Sequence, residues 1–557
     1  MMDRNLAIGI DLGTTNSAIA VWLDGKAILI PNSLGQYLTP SVVSIDEDHH
    51  ILVGEAAYSR LITKPLQTAS AFKRFLGTEK SYQLGTATYT PTELCAMILK
   101  SLKSDAEDYL KQSVDDVVIS VPAYFNDQQR KEVRQAAELA GLNATRLINE
   151  PTAACLAYSL HETHDRRFLV FDLGGGTFDV TVVEYQDSFI EVRASTGDNR
   201  LGGEDFTAAL VEAVMQKQNI SSDDLTPVER SKIIQSCEMA KKKSAAEMSV
   251  FLPEPWVQTV QFSAQELKNI WQETLNRLSF PIRQALNDAR ISPDEIEELI
   301  FVGGATRLKE VQQMATRLIG RFGKISLDPD LVVALGAATQ AACRLRDEAV
   351  EEIVLTDVCP FSLGIASNRE GQQGVFSPII ERNTVIPASR VERFYTIHDG
   401  QDVVRIAVYQ GERVWVAENV LIDEFEVDVN PASAGEESLD VRFSYDINGL
   451  LEVDVTVVST GKTIQKVIDR TPTGMSEAAQ LESRKRLEKL KFHPRDALPN
   501  ITLMEKLNRL YEEKLAEERH WIEQLILHFT RMLETQDDHQ IKTMREQIES
   551  DLKASGL

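Results

Sequence analysis

Residues 8–22 read IGIDLGTTNSAIAVW, and residues 169–183 read LVFDLGGGTFDVTVV. Each stretch is an apolar run, then Asp-Leu-Gly, then a turn rich in glycine and threonine, then a second run of alternating apolar residues. Alternation on both sides of such a turn predicts a β-hairpin. The two hairpins place Asp11 and Asp172 at matching strand ends, and this long-range similarity indicates a duplicated lobe.

The two turns predict a phosphate-binding site. Glycines let backbone N–H groups approach phosphate oxygens closely, and hydroxyls supply further donors. The turn residues concerned are Gly13, Thr14, Thr15, Gly174, Gly175, Gly176 and Thr177. Asp11 and Asp172 can hold a hydrated Mg²⁺ that bridges the phosphates. One such turn alone is more often purely structural, whereas the matched pair favours a nucleotide cleft that is not of the Walker A type.

Composition and charge restrict the class of protein. The 557 residues suggest two to four domains, at roughly 150 residues each. A formal net charge of −25 excludes nucleic acid and anionic membranes as partners, because their phosphates would be repelled. The five scattered cysteines show no CxxC spacing, which argues against disulfides and zinc. With no apolar leader and no membrane-length apolar run, the expectation is a cytoplasmic protein.

Several long motifs follow one another in a fixed order. They are GIDLGTTNS (9–17), VPAYFND (121–127), INEPTAA (148–154), FDLGGGTFD (171–179), GDNRLGGEDF (197–206), VGGATR (302–307) and DPDLVVALGAA (328–338). Together they resemble the seventy-kilodalton heat-shock chaperones, the DnaK family, and within it the short bacterial paralogue HscC. The resemblance covers essentially the whole chain and weakens toward the C-terminus.

The resemblance implies a multidomain α/β plus β fold. An actin-like, two-lobed ATPase head is expected at 1–350, an interdomain linker at 351–357, an antiparallel β-sandwich that binds peptides at 358–473, and a truncated helical lid at 474–557. The implied activity is that of an ATP-dependent chaperone. It would bind extended hydrophobic segments of unfolded proteins, with an affinity switched by ATP binding and hydrolysis.

Motif matches also imply the catalytic residues. The resemblance assigns catalysis to Asp11, Lys73, Glu150, Asp172 and Thr177, and metal contacts, mostly through water, to Asp11, Asp172 and Asp179. Lys73 matches the lysine that stabilises charge on the γ-phosphoryl group, and Asp179 a residue near an accompanying K⁺ ion. Positioning and charge neutralisation would do most of the catalysis. Outside this family context, Lys73 would be an ordinary surface lysine.

The nucleotide contacts implied by the family are spread over the whole head. They are Gly13, Thr14, Thr15, Asn16, Gly174, Gly175, Gly176, Gly202, Gly203, Glu238, Lys241, Gly303, Gly304, Arg307 and Asp330. Glu238 and Lys241 lie on adjacent turns of one helix face, where the family binds adenosine, although such a pair could equally be a surface ion pair. The family's serine position holds Ala245, and Ser244 points about 100° away, so that hydrogen bond stays unassigned.

Two segments of the head are shorter than in DnaK. One is the brief loop between FLG (75–77) and PTEL (91–94), and the other is 246–262. In the family both lie in the outer subdomains that touch nucleotide-exchange factors. We therefore expect the dependence on an exchange factor to differ from that of DnaK.

The segment IVLTD (353–357) corresponds to the family's linker, an apolar strand that docks on the head when ATP is bound. Thr356 replaces an apolar residue there, which predicts weaker docking, although by pattern alone the run is more typical of a core strand. The family implies interdomain coupling through Pro122, Arg130, Arg146, Asn149 and Asp357. Arg146, Asn149 and Asp357 also match positions that engage a J-domain cochaperone.

Beyond the linker the pattern changes to short alternating runs. The runs are VVRIAVYQ (403–410), FEVDV (425–429), VRFSY (441–445) and LLEVDVTVV (450–458). Runs of this kind between turn signals predict an antiparallel β-sandwich.

The resemblance implies a peptide groove on the sandwich. It would be lined by Ile365, Asn368, Phe394, Ile397, Val404 and Ile406, although core packing is as good an interpretation of any single one. Asn368 and Ile397 occupy the positions that arch over the peptide in many relatives. Asn368 departs from the usual apolar residue, which predicts an altered substrate preference.

From about Ser476 the chain is charged and helical. Trp521, Leu525, Phe529 and Met532 recur at near-helical spacing, as expected for a lid and also for any packed helical stripe. A truncated lid predicts quicker release of clients.

Two other functions fit part of the pattern. A small-molecule kinase, such as a sugar kinase, shares the actin-like head, but the fused sandwich would have no role in it. An ATP-independent holdase would leave the catalytic residues without a use. The favoured interpretation needs ATP/ADP, Mg²⁺ and K⁺, with unfolded clients, a J-domain cochaperone and an exchange factor as partners.

Overall fold

A computed structural model describes residues 6–46, 50–159, 165–186, 189–243, 247–324, 327–345, 347, 350, 354–369, 371–446, 450–468, 498–514 and 516–555. These residues form two compact units. The head unit covers the described residues up to Phe361 together with Arg382–Val385, and the tail unit covers Ser362–Glu381 and the described residues from Ile386 onward. The head unit therefore continues through the expected linker.

The first lobe of the head is a mixed sheet with helices. Its elements are β1 (Ala7–Asp11), β2 (Asn16–Leu23), β3 (Lys26–Ile30), β4 (Thr39–Pro40), β5 (Val42–Ile45), β6 (Ile51–Val53), α1 (Glu55–Tyr58), α2 (Arg60–Thr63), β7 (Thr68–Ser70), β8 (Tyr82–Leu84), β9 (Ala87–Tyr89), α3 (Pro91–Leu110), β10 (Asp116–Val121), α4 (Asp127–Leu139), β11 (Asn143–Asn149) and α5 (Glu150–Ser159). The main sheet has the order β11-β10-β1-β2-β3, with β4 paired to β2. The predicted first hairpin is β1 and β2, in which Asp11 pairs with Ala18.

The second lobe repeats this plan. Its elements are β12 (Arg166–Leu173), β13 (Phe178–Gln186), β14 (Phe189–Asp198), α6 (Gly203–Lys217), α7 (Pro227–Lys242), β15 (Met248–Leu252), β16 (Gln258–Phe262), α8 (Ala264–Ile270), α9 (Gln272–Ala289), β17 (Glu298–Val302), α10 (Lys309–Ile319), β18 (Gly323–Lys324), α11 (Val332–Leu345) and β19 (Val354–Val358). The sheet runs β18-β17-β12-β13-β14-β19. The predicted second hairpin is β12 and β13, in which Asp172 pairs with Asp179. Two equivalent hairpins at the centres of two sheets confirm the predicted duplication.

Helices α5 and α11 pack between the two sheets at very short range. A Cβ atom on Gly9 of β1 would lie 2.0 Å from the backbone nitrogen of Ala338. A Cβ atom on Gly336 of α11 would lie 1.7 Å from the carbonyl oxygen of Ala153. Glycine is required at both contacts because any side chain would force the backbones apart. This close packing holds both hairpins against one shared core.

One sequence expectation about the head is wrong in detail. The segment between Gly77 and Pro91, expected as a brief loop, contains the short hairpin β8–β9. The hairpin forms because Leu84 is buried and the Tyr82 ring packs edge-on against Phe72. The turn is provided by Gly85, whose φ of +63° suits a residue without a Cβ.

The tail unit contains two antiparallel sheets. The remaining strands of the chain are β20 (Leu363–Arg369), β21 (Gln372–Ile380), β22 (Val385–Ile386, at the border of the units), β23 (Ala388–Tyr395), β24 (Val403–Gln410), β25 (Val420–Asp428), β26 (Ser438–Tyr445), β27 (Leu451–Val457) and β28 (Thr463–Ile468). The sheets have the orders β21-β20-β24-β25 and β23-β26-β27-β28. All four alternating runs in the sequence therefore lie in strands, as predicted.

A bundle of helices completes the tail unit: α12 (Leu498–Glu513), α13 (Ala516–Glu534) and α14 (Asp538–Ala554). Leu507, Ile522 and Phe529 are buried in its apolar core. In the turn before α14, the Gln536 side chain donates to the carbonyl of Val391 at 2.9 Å and accepts from its N–H at 3.3 Å. This contact joins the bundle to β23, an edge strand. The expected start of the lid, near Ser476, lies outside the described residues.

Two expectations about the whole chain can be compared with these elements. None of the five cysteines, all of which lie in the described ranges, is part of a disulfide. No helix in the described ranges combines the length and the apolar character needed to cross a bilayer.

Candidate functional site: a cleft between the two hairpins

A cavity of about 810 Å³ lies between the two lobes of the head, and both hairpin turns face it. The predicted site residues that line it are Asp11, Gly13, Thr14, Thr15, Asn16, Lys73, Glu150, Asp172, Gly174, Gly175, Thr177, Gly203, Glu238, Lys241, Gly303, Gly304, Arg307 and Asp330. The predicted residues Gly176, Gly202 and Asp179 are not among the residues that line it. Residues far apart in sequence are thus brought to one cleft.

The first hairpin turn is fixed by hydrogen bonds inside its own lobe. The Gly13 N–H donates to Ser17 Oγ at 3.1 Å, and Ser41 Oγ donates to the Gly13 carbonyl at 2.7 Å. Ser120 Oγ, at the end of β10, donates to Asp11 Oδ1 at 2.7 Å. The Asp11 carboxylate is therefore held in one orientation.

The second hairpin turn is tied to the start of α6. The Gly203 and Glu204 N–H groups donate to the carbonyls of Gly174 and Gly175, each at 2.9 Å. Gly202 permits this contact, because a Cβ atom there would lie 2.4 Å from the Gly175 carbonyl oxygen. Asp172 Oδ2 is buried and has no hydrogen-bond donor among the described residues.

Lys73 and Glu150 form an ion pair inside the cleft. Lys73 Nζ lies 2.7 Å from Glu150 Oε1, and the Lys73 side chain is only 2% exposed. Lys73 sits in a 3₁₀ turn, Phe72–Phe75, and its ammonium group lies 5.5 Å from the centre of the Phe125 ring. A buried lysine of this kind is expensive to desolvate unless it is paired. Its position is therefore that of an internal group and not of a surface lysine.

Three buried carboxylates, all on the strands of the two hairpins, resist ionisation. Burial, reinforced by the charge of Glu150, raises the pKa of Asp11 to about 7 and that of Asp179 also to about 7. The same causes raise the pKa of Asp172 well above its usual range. A divalent cation would reverse this effect by stabilising the charged forms.

The donor set fits a hydrated cation better than a directly ligated one. In the described part of the chain, no three His, Cys, Asp or Glu side chains converge closely enough to bind a metal ion directly. Asp172 Oδ2 nevertheless needs a partner. The water shell of Mg²⁺ would provide one, since Mg²⁺ usually keeps several of its waters.

The wall of the cleft away from the hairpins is formed by α6, α7 and the Gly303–Gly304 turn. Helix α7 begins after Thr226, which forms a capping box with Glu229. Lys241 Nζ lies 2.6 Å from Glu238 Oε2 and donates to the Gly203 carbonyl at 2.7 Å. The predicted Glu238–Lys241 pair thus faces the cleft and is not a surface ion pair. Ser244 and Ala245 lie outside the described residues.

The Gly303 turn meets the base of the second hairpin. Gly303 has a φ of +82°, and a Cβ atom on it would lie 2.4 Å from the Leu173 carbonyl oxygen. Beside it, Arg307 pairs with Asp330 at 2.8 Å and with Asp328 at 2.9 Å. The ion pairs hold the guanidinium group at the rim of the cleft.

A chain of hydrogen bonds leads from the second hairpin to the linker strand. The Ala123 and Tyr124 N–H groups donate to Asp179, at 3.2 and 3.0 Å. Arg130 donates to the Ala123 carbonyl at 3.0 Å and to Asn149 Oδ1 at 2.7 Å. The Asn149 amide in turn lies 2.9–3.0 Å from both oxygens of Asp357 in β19.

Two more predicted coupling residues flank this chain. The Pro122 carbonyl accepts a hydrogen bond from the Phe125 N–H at 3.2 Å. Arg146 lies on β11. Burial raises the pKa of Asp357 above its usual value, and the charges of Arg130 and Arg146 offset part of this rise. Strand β19 pairs in parallel with β14, and Thr356 Oγ1 lies 3.4 Å from the Ile190 carbonyl oxygen. The five predicted coupling residues are thus in one part of the head.

Sequence reasoning missed three groups at the cleft. Ser120 could have been recognised as a polar residue in the apolar run VVISV. Tyr58 OH donates to Gln235 Oε1 at 3.2 Å across the mouth of the cleft. Arg74 pairs with Glu204 and Asp205 of the other lobe, at 3.2 and 3.0 Å. The last two contacts join elements far apart in sequence, and no local pattern indicates them.

The predicted groove residues lie on strands of the tail unit or just beyond one. Ile365 of β20 and Ile406 of β24 are buried, Phe394 and Val404 are half-buried, and Ile397, beyond β23, is 43% exposed. Asn368, near the end of β20, is half-buried.

Comparison with known proteins gives consistent results. The family model described as Hsp70 protein matches residues 7–555. The chain is also 39% identical over 508 residues to a protein named chaperone protein DnaK from Thermotoga neapolitana, covering 88% of this chain and 84% of that protein. The likeness to the HscC branch stays a prediction. The match along nearly the whole length, together with the cleft, shows that the chain belongs to the Hsp70 family.

Proposed function

We propose that this Hsp70-family chain is an ATP-dependent molecular chaperone. Its head would hydrolyse ATP, and its tail would bind extended segments of unfolded proteins. The observation that carries the proposal is the cleft: two equivalent hairpin turns face each other there, with the buried Lys73–Glu150 pair beside the unpartnered Asp172 oxygen.

Each group in the cleft has a role in this proposal. Backbone N–H groups and hydroxyls of the two turns bind the phosphates, because glycine allows close approach. Asp11 and Asp172 would hold a hydrated magnesium ion through its water shell, and the bound ion would supply positive charge that offsets the charge of the phosphates. Lys73 stabilises charge on the transferred group, and Glu150, at 2.7 Å, orients the lysine and the attacking water. Asp179 and Thr177 complete the phosphate side, where K⁺ is the proposed monovalent ion.

Coupling to the tail is proposed to run through the hydrogen-bond chain from Asp179 to Asp357. A change at the phosphates alters Asp179, which binds the backbone between Pro122 and Phe125. That backbone is joined through Arg130 and Asn149 to the linker strand. Such a network switches the tail only if ATP has different affinities for two states of the whole chain. A J-domain cochaperone is proposed to act on the same residues, Arg146, Asn149 and Asp357.

The decisive variant is Lys73→Ala. We expect kcat for ATP hydrolysis to fall by about 10²–10³-fold, as when one preorganised stabilising group is removed, while ATP binding measured by calorimetry stays within a few fold. Lys80→Ala is the matched control, since Lys80 is an exposed lysine seven positions along the chain. Hydrolysis retained in Lys73→Ala would remove Lys73 from the mechanism.

A second measurement separates the chaperone from its competitors. Phosphate should be released from ATP without any acceptor, faster when an unfolded peptide is added, and the peptide should dissociate faster with ATP than with ADP. A sugar kinase would need its acceptor, and a holdase would bind peptide equally with and without nucleotide. Either result would overturn the proposal.

A further inference from the structure

Strands β20 and β24 are paired at one end and separate at the other. Their ladder runs from Leu363–Gln410 to Ile365–Val408 and ends there. Strand β20 continues along β21 to Arg369, and β24 extends back along β25 to Val403. If the ladder continued for three more residues beyond the Ile365–Val408 pair, Asn368 of β20 would lie opposite Arg405 of β24. The described residues therefore leave one side of both strands free, and an extended segment can be added there.

Asn368 lies in this separated part with a buried polar atom. Its Oδ1 has no hydrogen-bond donor in the described part of the chain. Ile365, just before the separation, and Ile406, within it, are 3% and 2% exposed, so each strand contributes a buried apolar side chain near Asn368. A buried oxygen without a donor costs free energy, and such groups in native proteins call for a ligand or a water.

The geometry of sheets indicates which part of an added segment would provide the donor. Main-chain N–H groups of an added strand bond to the main-chain carbonyls of the strand beside it. Side chains stand roughly perpendicular to the sheet and pair with side chains across the strands. The Asn368 amide therefore faces a side chain of the added segment and not its main chain.

This inference rests on the proposed function. We propose that Asn368 is a specificity-determining residue of the peptide groove, whose Oδ1 accepts a hydrogen bond from a serine, threonine, asparagine or glutamine side chain of the bound client. The groove then selects apolar segments that carry one hydroxyl or amide side chain at a fixed position. A site that hydrogen-bonds a substrate group discriminates strongly against an analogue lacking it, whereas an apolar pocket discriminates weakly.

The test uses isosteric pairs of peptides with the full-length protein and ADP. One threonine is moved through the five inner positions of an otherwise apolar heptapeptide, and valine replaces it in the matched peptide. Affinities are measured by fluorescence anisotropy. At one position the threonine peptide should bind about tenfold more tightly, as expected for one well-made hydrogen bond to a buried acceptor.

Variants assign this preference to the oxygen. In Asn368→Leu the threonine preference should disappear or invert at that position, and Asn368→Asp, which keeps an acceptor, should retain it. Ser367→Ala is the control, because the Ser367 hydroxyl is already bonded to Ser377 and to the Val375 carbonyl. The comparison of threonine and valine peptides uses the wild-type protein, so it does not depend on whether any variant folds.

The remaining outcomes overturn the inference in distinguishable ways. Tight binding with no threonine preference at any position would show that Asn368 does not select clients, and the proposed function would stand. A uniform loss of affinity in Asn368→Leu would place the client main chain on the oxygen and refute a side-chain role. If no peptide showed nucleotide-sensitive binding, the proposed function would fail as well.

Discussion

The two hairpins that face each other in the cleft have similar sequences and different surroundings. In the first, Asp11 accepts a hydrogen bond from Ser120, and the Gly13 turn is held by Ser17 and Ser41 of the same lobe. In the second, Asp172 has an oxygen without a donor among the described residues, and Asp179 binds backbone N–H groups of the other lobe.

This difference divides the work between the two copies of one motif. A turn fixed within its own lobe provides a rigid half of a phosphate site, so little ordering is needed when nucleotide binds. The second turn is also tied to its own lobe, at the start of α6. Its strands, however, carry an Asp172 oxygen without a donor among the described residues and an Asp179 that binds the other lobe, so this hairpin can respond to the ligand and pass the response on. We therefore propose that the first hairpin is the fixed half of the phosphate site and that the second hairpin is the sensor that responds to the nucleotide.

The largest effect is expected in a comparison of Asp172→Asn with Asp11→Asn. We expect kcat to fall by about 10²–10³-fold in Asp172→Asn and by only about tenfold in Asp11→Asn, because Ser120 can still donate to the remaining carbonyl oxygen. Single-turnover hydrolysis at several Mg²⁺ concentrations measures both. Equal losses would mean that the two carboxylates do the same work.

The second test adds one methyl group to the sensor turn. A Cβ atom on Gly175 would lie 1.8 Å from Thr15 Oγ1 of the first hairpin, whereas one on Gly174 would have no neighbour closer than 3.7 Å. Gly175→Ala should weaken ATP binding about tenfold, as expected when a tight contact is overpacked, with Gly174→Ala as the matched control. Calorimetric titration with ATP measures the difference, and similar affinities for the two variants would show that the turns need not approach so closely.

A third test asks whether burial makes it unfavourable for Asp11 to ionise in the folded protein. Unfolded Asp11 loses its proton near pH 3.8 and the folded residue near pH 7, so the folded protein holds an extra proton between these values. The free energy of unfolding must then fall as the pH rises through this window. Relative to Asp11→Asn, the wild type should lose roughly 1–4 kcal/mol between pH 4 and pH 8.

Urea unfolding of the full-length protein, followed at each pH, measures this loss. Saturating Mg²⁺ and ATP should reduce it, because a nearby cation favours the charged carboxylate. If the free energy of unfolding changed with pH in the same way for both proteins, folding would not raise the pKa of Asp11.

The smallest expected effect concerns the contact that joins the two lobes at the mouth of the cleft. Tyr58→Phe removes the hydrogen bond to Gln235 and should speed release of a fluorescent ADP analogue about two- to fivefold, for a loss of ~0.5–1 kcal/mol. Tyr109→Phe, at a 48% exposed tyrosine of α3, is the control in a stopped-flow measurement. Unchanged release would show that the lobes separate without breaking this bond first.

Sequence reasoning identified the parts of the site that depend on local patterns. Alternation around the Asp-Leu-Gly turns was enough to predict both hairpins, and the predicted residues meet in one cleft. It could not find Tyr58–Gln235 or Arg74–Glu204, since these pairs depend on how the lobes close and not on periodicity. The β8–β9 hairpin was missed because its strands have only three residues each and owe their order to aromatic packing against Phe72 and Phe75.

The Gln536 contact has a consequence for a protein of this kind. Unpaired N–H and C=O groups on an edge strand are a template for pairing with any extended chain, and extended chains are what a chaperone meets. The Gln536 side-chain amide hydrogen-bonds to both the N–H and the C=O of Val391. An extended chain therefore cannot pair with β23 at this residue. The closure is also cheap to reverse, because water can replace both neutral bonds for about 1–3 kcal/mol.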